Sequence, residues 1–317
     1  MVLFILKRLG VMILTALCLT LVVFSLVNIP PNLEKLAKEQ NNMRMSDQQV
    51  TIWLQDQGLD RPILTRYGEW LGGVVTGDMG DSTRFRKPVS EIVGERLWLT
   101  AKLMFWVMIV MVPSALIIGV LAGMREGTFQ DRSLSTLSIA TTATPEYVSG
   151  VVFAVIFSSK LVGLQWLSAS ATKAMEQITF YNFALPVMTM AIYGMGYIAR
   201  MTRASMAEVM TAQYIRTARL KGVSFASIVV KHALRNALIA PFTVIMLQFP
   251  WLLTGVVIVE NLFNYKGFGW LLVEAASNND IDLLLACSIV SVVVVLVTQL
   301  ISDIGYVYLN PRIRVSS

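Results

Sequence analysis

The sequence predicts an all-α integral membrane protein: six transmembrane helices, a helical loop domain on the outer side and a basic helical loop on the inner side. Composition comes first. Of 317 residues, 55% are hydrophobic and only 15% charged, which is too apolar for an ordinary soluble domain. The second observation is a set of charge-free runs at 9–33, 103–124, 177–199, 236–259 and 283–302, with a sixth at 133–160 that carries only Glu146 before Lys160 closes it. Each run is about the length needed to cross the hydrocarbon as a helix, roughly 20 residues. The third is the distribution of lysine and arginine, which sets the topology.

The first run reads as an uncleaved anchor helix (1–33). Lys7 and Arg8 would suit the start of a signal peptide, but NIPPN after the run offers no small-x-small cleavage site. Residues 34–97 form an outer loop domain, and 98–317 the remaining five spans with a basic loop at 200–235. Within the outer domain, Ser46–Gln49 has the pattern of a capping box, and Gly58 can end the helix it starts. Pro62 suits the opening of a second helix, expected to end near Gly72–Gly73. GDMGDS at 77–82 reads as a turn, and Pro88 starts a stretch leading into the second span. Pro113, Pro145, Pro186, Pro241 and Pro250 mark kinks or places where helices part.

With six spans both termini face one side. That side receives Lys7 and Arg8, Arg125 and Arg132, the 200–235 block, and Arg312 and Arg314. The block carries seven basic residues against one acid, Glu208, whereas 260–282 carries Lys266 against Glu260, Glu274, Asp280 and Asp282. The positive side is therefore cytoplasmic.

Several chemistries are excluded. No lysine is followed by Ser or Thr, so a Walker-type phosphate loop is absent. One histidine makes neither a histidine zinc site nor a catalytic triad. There is no TVGYG filter. Cys18 and Cys287 both fall in spans, where packing is their role. No catalytic residue and no metal site is expected. Glu146 is the one ionisable residue inside a predicted span. It reads either as a pathway-lining group or as a cap on the helix broken after Pro145, close to the outer interface.

The basic segment has helical periodicity in two pieces. Tyr214 and Ala218 share a face in the first; Gly222 can take the left-handed position after its end, with Val223 as the apolar contact. Ser224 then caps a second piece, where Phe225, Ile228, Val229 and His232 form one stripe. The result is a helix–turn–helix elbow with a tip of small residues, suited to docking in a partner's cleft. Three rival readings stand beside it: topology or headgroup binding by the charges, nucleic-acid binding, disfavoured for want of interleaved aromatics, and a glycine that merely ends a helix.

RTARLKG, with HALRNAL ten residues after Gly222, resembles the cytoplasmic loop of ABC importer permeases of the dipeptide and oligopeptide branch. FILKRLG, GLDRPILTRYGEWL, GDMGDS, PVSEIV, TPEYVSG, ARMTRASMAEVMTAQYIRTARLKG, ENLFNYKGFG, the Asn279–Asp280 pair and LNPRIR resemble the same branch in order. The resemblance implies one of two membrane subunits, its partner a paralogue, in the bacterial inner membrane. It implies two cytoplasmic ATPase subunits that use ATP and magnesium, an extracytoplasmic binding protein, and no cofactor or nucleic acid on this chain. Arg216, Thr217 and Ala218 stand where the general signature has Glu-Ala-Ala, and Gly222 at its glycine. By resemblance, Tyr214, Arg216, Thr217, Ala218, Arg219, Gly222 and His232 in the 211–235 loop dock the ATPase, and peptides or related small solutes are the cargo. The rivals are a self-sufficient secondary transporter or channel, and a membrane scaffold that transports nothing.

Overall fold

Apolar segments in lipid must pair every backbone N–H and C=O within themselves, which favours helices. The computed structural model describes residues 2–41, 43–160 and 164–309; Arg312, Arg314 and the LNPRIR residues after Leu309 lie outside the described residues. Regular structure among the described residues is helical, apart from one bridge pairing Asp81 with Pro88. Among the described residues, four helices are long and apolar enough to cross a membrane: Leu6–Val27 within α1 (Val2–Val27), α5 (Val89–Gly123), α8 (Phe180–Met210) and Ile281–Gly305 within α14 (Ile281–Leu309). Two bent pairs bring the number to six if each is one span. In one, α6 (Phe129–Ala143) and α7 (Glu146–Ser158) meet at 104° across Thr144–Pro145. In the other, Phe225–Ala237 meets the start of α12 (Ile239–Leu262) at 52°.

The expected anchor is shorter than its charge-free run. α1 stops at Val27, and Pro30 and Pro31 open a separate helix, α2 (Pro30–Gln40). Proline suits that first turn because its missing N–H would have no intrahelical partner there. Pro113, Pro186 and Pro250 sit inside unbroken helices, whereas Pro145 marks the 104° break and Pro241 stands in the first turn after the 52° one.

The chain divides into two compact units, residues 1–100 with 266–297 and residues 101–265 with 298–317. In the first, α3 (Asp47–Asp56) opens with the expected capping box: Ser46 N–H donates to Gln49 Oε1 at 2.9 Å, and Gln49 N–H to Ser46 Oγ at 3.4 Å. α4 (Ile63–Thr76) starts after Pro62 but runs past Gly72 and Gly73 to Gly77. Only Gly77 of these takes the left-handed conformation, φ +91°, and so terminates the helix; the other two are carried at roughly 1 kcal/mol each. Phe24, Val27, Leu33, Leu36, Ile281 and Leu285 form one core here.

The GDMGDS turn has a buried anchor. Asp280, fully buried at the head of α14, accepts from Ser82 Oγ at 2.5 Å and from Arg84 N–H at 3.1 Å. Its neighbour Asn279 adopts φ +52° and donates from Nδ2 to the Asn32 carbonyl at 3.1 Å. Two motifs 198 residues apart are thus one structural feature. α13 (Phe268–Ser277) packs through Phe268, Leu271 and Ala275 on Val89, Ile92 and Val93.

The second unit is built around α8. Its span is 72% buried, against 17% or 28% for the other three straight spans. Neighbours approach closely at small residues: a side chain added at Gly119 or Gly123 of α5 would strike Thr202, Arg203 or Met206 of α8, and one at Gly196 would strike α6 at Thr141 and Ser138. Membrane helices pack through such contacts because apolar burial gives them no drive to associate.

A docking elbow and a membrane cavity

After α8 the chain turns through Thr211 and Ala212 into a short helix, α9 (Gln213–Leu220). Gly222 follows at φ +76°. Gly222 N–H donates to the Arg219 carbonyl at 3.0 Å and Val223 N–H to the Ala218 carbonyl at 3.2 Å. This paired pattern is the Schellman ending, and Val223 supplies its apolar contact. Ser224 then caps α10 (Phe225–Ser227), accepting from Ser227 N–H at 3.4 Å. A π-helical stretch, Ile228–Ala233, and a last turn, α11 (Leu234–Ala237), complete the return arm.

The elbow is seated on its own core. Met206 and Met210 of α8, Ile215 and Ala218 of α9, and Ile228, Val229, Ala233 and Ala237 of the return arm are all buried together. Ser205 Oγ donates to the Ala237 carbonyl at 2.8 Å, and Asn236 Nδ2 to Tyr214 Oη at 2.9 Å. The arms are therefore tied to each other and to the end of α8.

Two face assignments change. In α9 the inward pair is Ile215 and Ala218; Tyr214 is exposed, with its hydroxyl on Asn236. In the return arm, Ile228 and Val229 are buried as expected, but Phe225 and His232 are exposed and Ala233 takes the inward place. The cause is the π-stretch, whose wider turn moves the next inward residue one position on. Of the remaining residues singled out, Arg216, Thr217, Arg219 and Gly222 are exposed on the elbow. Two apolar residues that periodicity did not mark, Leu220 at 82% exposure and Val230 at 63%, stand out of its surface, as does Phe225 of the expected stripe at 40%. For Leu220 and Val230 the available signal was their placement directly beside Lys221 and Lys231.

A clamp also escaped the sequence reading. Asp131, buried at the start of α6, accepts from Arg203 Nε at 2.9 Å and Nη2 at 2.7 Å, from Gly127 N–H at 2.9 Å and from Ser135 Oγ at 3.1 Å. Glu126 lies 3.5 Å from Arg203. The α5–α6 connection is thereby fastened to α8 shortly before the elbow, and Arg125 stacks over Phe225 at 5.7 Å. A bidentate guanidinium–carboxylate pair fixes orientation as well as distance.

Among α6, α8 and α12 lies a cavity of about 600 Å³. Thr142, Tyr193, Tyr197, Arg200, Gln248 and Trp251 line it, with Tyr193 and Trp251 stacked at 4.8 Å. Glu146 is not among its lining residues. It begins α7 at the 104° break. A side chain added at Gly255 of α12 would lie 3.2 Å from Glu146 Oε1 and 3.5 Å from the Trp251 ring. The carboxylate and one wall residue of the cavity thus converge on the bare backbone of Gly255.

Residues 115–315 match the profile of the binding-protein-dependent transport system inner membrane component. The chain belongs to that family. The permease is similar over its whole length to the glutathione transport system permease protein GsiC of Salmonella typhimurium, at 32% identity across 98% of both chains. The corresponding Escherichia coli protein is 31% identical across 98% of both. The "Probable peptide ABC transporter permease protein y4tP" of Sinorhizobium fredii is 32% identical over 85% of this chain and 86% of its own. Like the family, the permease is a multi-pass inner-membrane subunit without catalysis of its own; hydrolysis of ATP falls to a separate subunit.

Proposed function

We propose that this permease is a translocation subunit of an ATP-driven importer for peptides, glutathione or related small solutes. The elbow at 211–235 is the joint through which it is moved. The observation that carries this reading is the construction of the elbow: a short helix closed by a Schellman turn, seated on the end of α8 through a continuous apolar core, with Leu220 left standing in solvent. A segment that merely set topology would need charge, but neither a core nor an exposed apolar knob.

In this reading Tyr214, Arg216, Thr217, Arg219, Gly222 and His232 face the ATPase, and Ala218 holds α9 to its base. Leu220 and Phe225 fill apolar pockets in the partner while the basic residues pair with acids around them. The elbow, both termini and the 200–235 block are cytoplasmic, and residues 34–97 are the outer domain. Two ATPase subunits, an extracytoplasmic binding protein and a paralogous second permease complete the assembly. Closure of the ATPases around ATP and magnesium pulls α9 as a rigid lever on α8, and the cavity beside Tyr193 and Trp251 changes its side of access. Glu146, held at the helix break against Gly255, contributes to that pathway.

Affinity purification in mild detergent, with tagged wild type and Leu220→Glu, tests the joint. Wild type brings down an ATPase and a second permease, and the variant loses the ATPase alone. If the variant retains its ATPase, the elbow is not the joint. If wild type recruits no ATPase, the importer reading fails and transport by the purified chain in liposomes becomes the experiment to run.

A further inference from the structure

A second cavity, of about 330 Å³, opens in the first unit between the end of α1, the helices α2 to α4 and the start of α14. Its polar wall is unusual. Arg66 of α4 is buried, at 8% exposure. Its only partners among the described residues are the Asn28 side-chain oxygen, which accepts from Nη2, and the ring of Phe24, 5.8 Å from the guanidinium carbon. No carboxylate lies within ion-pair distance, since Arg61 takes Glu69 for itself at 2.7 and 2.8 Å. Burial and the nearby Arg61 push the Arg66 pKa down, and Asp60 offsets them only in part.

Trp70 also lines the cavity, packed on Phe24 with ring centroids 5.5 Å apart. Its Nε1 is buried and donates to nothing among the described residues. Across the same cavity stands Asp282, solvent-exposed and with neither hydrogen bond nor ion pair to any described residue. Buried polar groups are ordinarily satisfied, and an unpaired buried charge costs several kcal/mol. Here a buried cation and a buried N–H donor, both without protein partners of the matching kind, face one space with an exposed carboxylate.

We propose that this cavity binds a small zwitterionic group, its anionic oxygens on Arg66 and Trp70 Nε1 and its ammonium on Asp282. With Arg61 paired to Glu69, the pocket is neutral only when both remaining charges are counted, so a zwitterion satisfies it where a simple anion leaves Asp282 uncompensated. Two sources offer that chemistry: the headgroup of phosphatidylethanolamine and a free short peptide. Position favours the headgroup. Asn28 follows the last residue of a spanning helix, Asp282 is the second residue of another, and Trp53 and Trp70 supply the aromatic lining typical of the membrane interface.

The assembled complex is placed in nanodiscs of phosphatidylcholine alone or with phosphatidylethanolamine. Native mass spectrometry counts retained lipid, and tryptophan fluorescence follows the pocket. Wild type is expected to retain one phosphatidylethanolamine per chain. Asp282→Asn lowers that retention about tenfold, and Trp70→Phe, which removes only the N–H, weakens it without lowering the unfolding temperature. A saturable fluorescence change on adding glycylglycine to phosphatidylcholine discs, with no lipid retained, assigns the same site to the soluble source. Equal retention of both lipids by wild type and both variants, together with no response to glycylglycine, overturns the proposal.

Discussion

The elbow and the GDMGDS turn are both tight bends punctuated by glycine, and they are held in opposite ways. The elbow rests on eight buried apolar residues, all within a stretch of 32 positions, 206–237. The turn at 77–88 leans on its core only through Met79 and Phe85 and is tied down by one buried carboxylate from the far end of the chain, Asp280, which gathers Ser82 Oγ and the Arg84 N–H. An apolar seat is a sum of many small contacts and yields gradually. A polar anchor fails as a unit, because removing the acceptor leaves buried donors with nothing to bond.

That contrast can be broken by substitution. Asp280→Ala is expected to have the largest effect, a loss of about 3 kcal/mol. It should appear as a lower unfolding temperature in detergent and as faster proteolysis within 77–88. Arg203→Gln comes next, at about 2 kcal/mol, because it leaves Asp131 buried with its backbone and serine donors but without its cation; the partial exposure of Arg203 keeps the loss below that of a fully buried pair. Thermal unfolding measures the loss, and uptake per ATP hydrolysed should fall further than stability does. Gly222→Ala is smaller, about 1 kcal/mol. Nothing lies within 4 Å of a side chain added there, so only the left-handed backbone opposes it. Leu220→Glu should change stability by less than about 0.5 kcal/mol and still abolish ATPase capture. If it unfolded the chain, the knob would belong to the core.

The same contrast explains what the sequence could disclose. Charge-free runs located the spans because lipid imposes one requirement on every residue in them. Caps were legible at Ser46, Gly222 and Ser224, since each acts within a few residues of itself. Pro145 was marked as a place where helices part, although the 104° angle depends on what packs around it. Gly72 and Gly73 misled because a glycine tolerates a helix interior, and only the observed φ separates a stop from a passenger. His232 was misplaced because a π-turn leaves no trace in a period of 3.6. The Asp131–Arg203 clamp and the Ser82–Asp280 bond, 72 and 198 residues apart, involve residue types common on any surface; nothing in their local sequence ties one partner to the other.

The π-stretch from Ile228 to Ala233 is also a place where the chain carries one residue more than an α-helix would use. Elsewhere in a packed helix, losing a single residue swings everything beyond it by about 100° and exchanges inner for outer faces. Here such a deletion would restore ordinary pitch and leave Ala237 against Ser205, because the wide turn already takes up the extra residue. The arm can therefore lose one residue and keep both of its ends seated, while Lys231 and His232 are carried round to new directions.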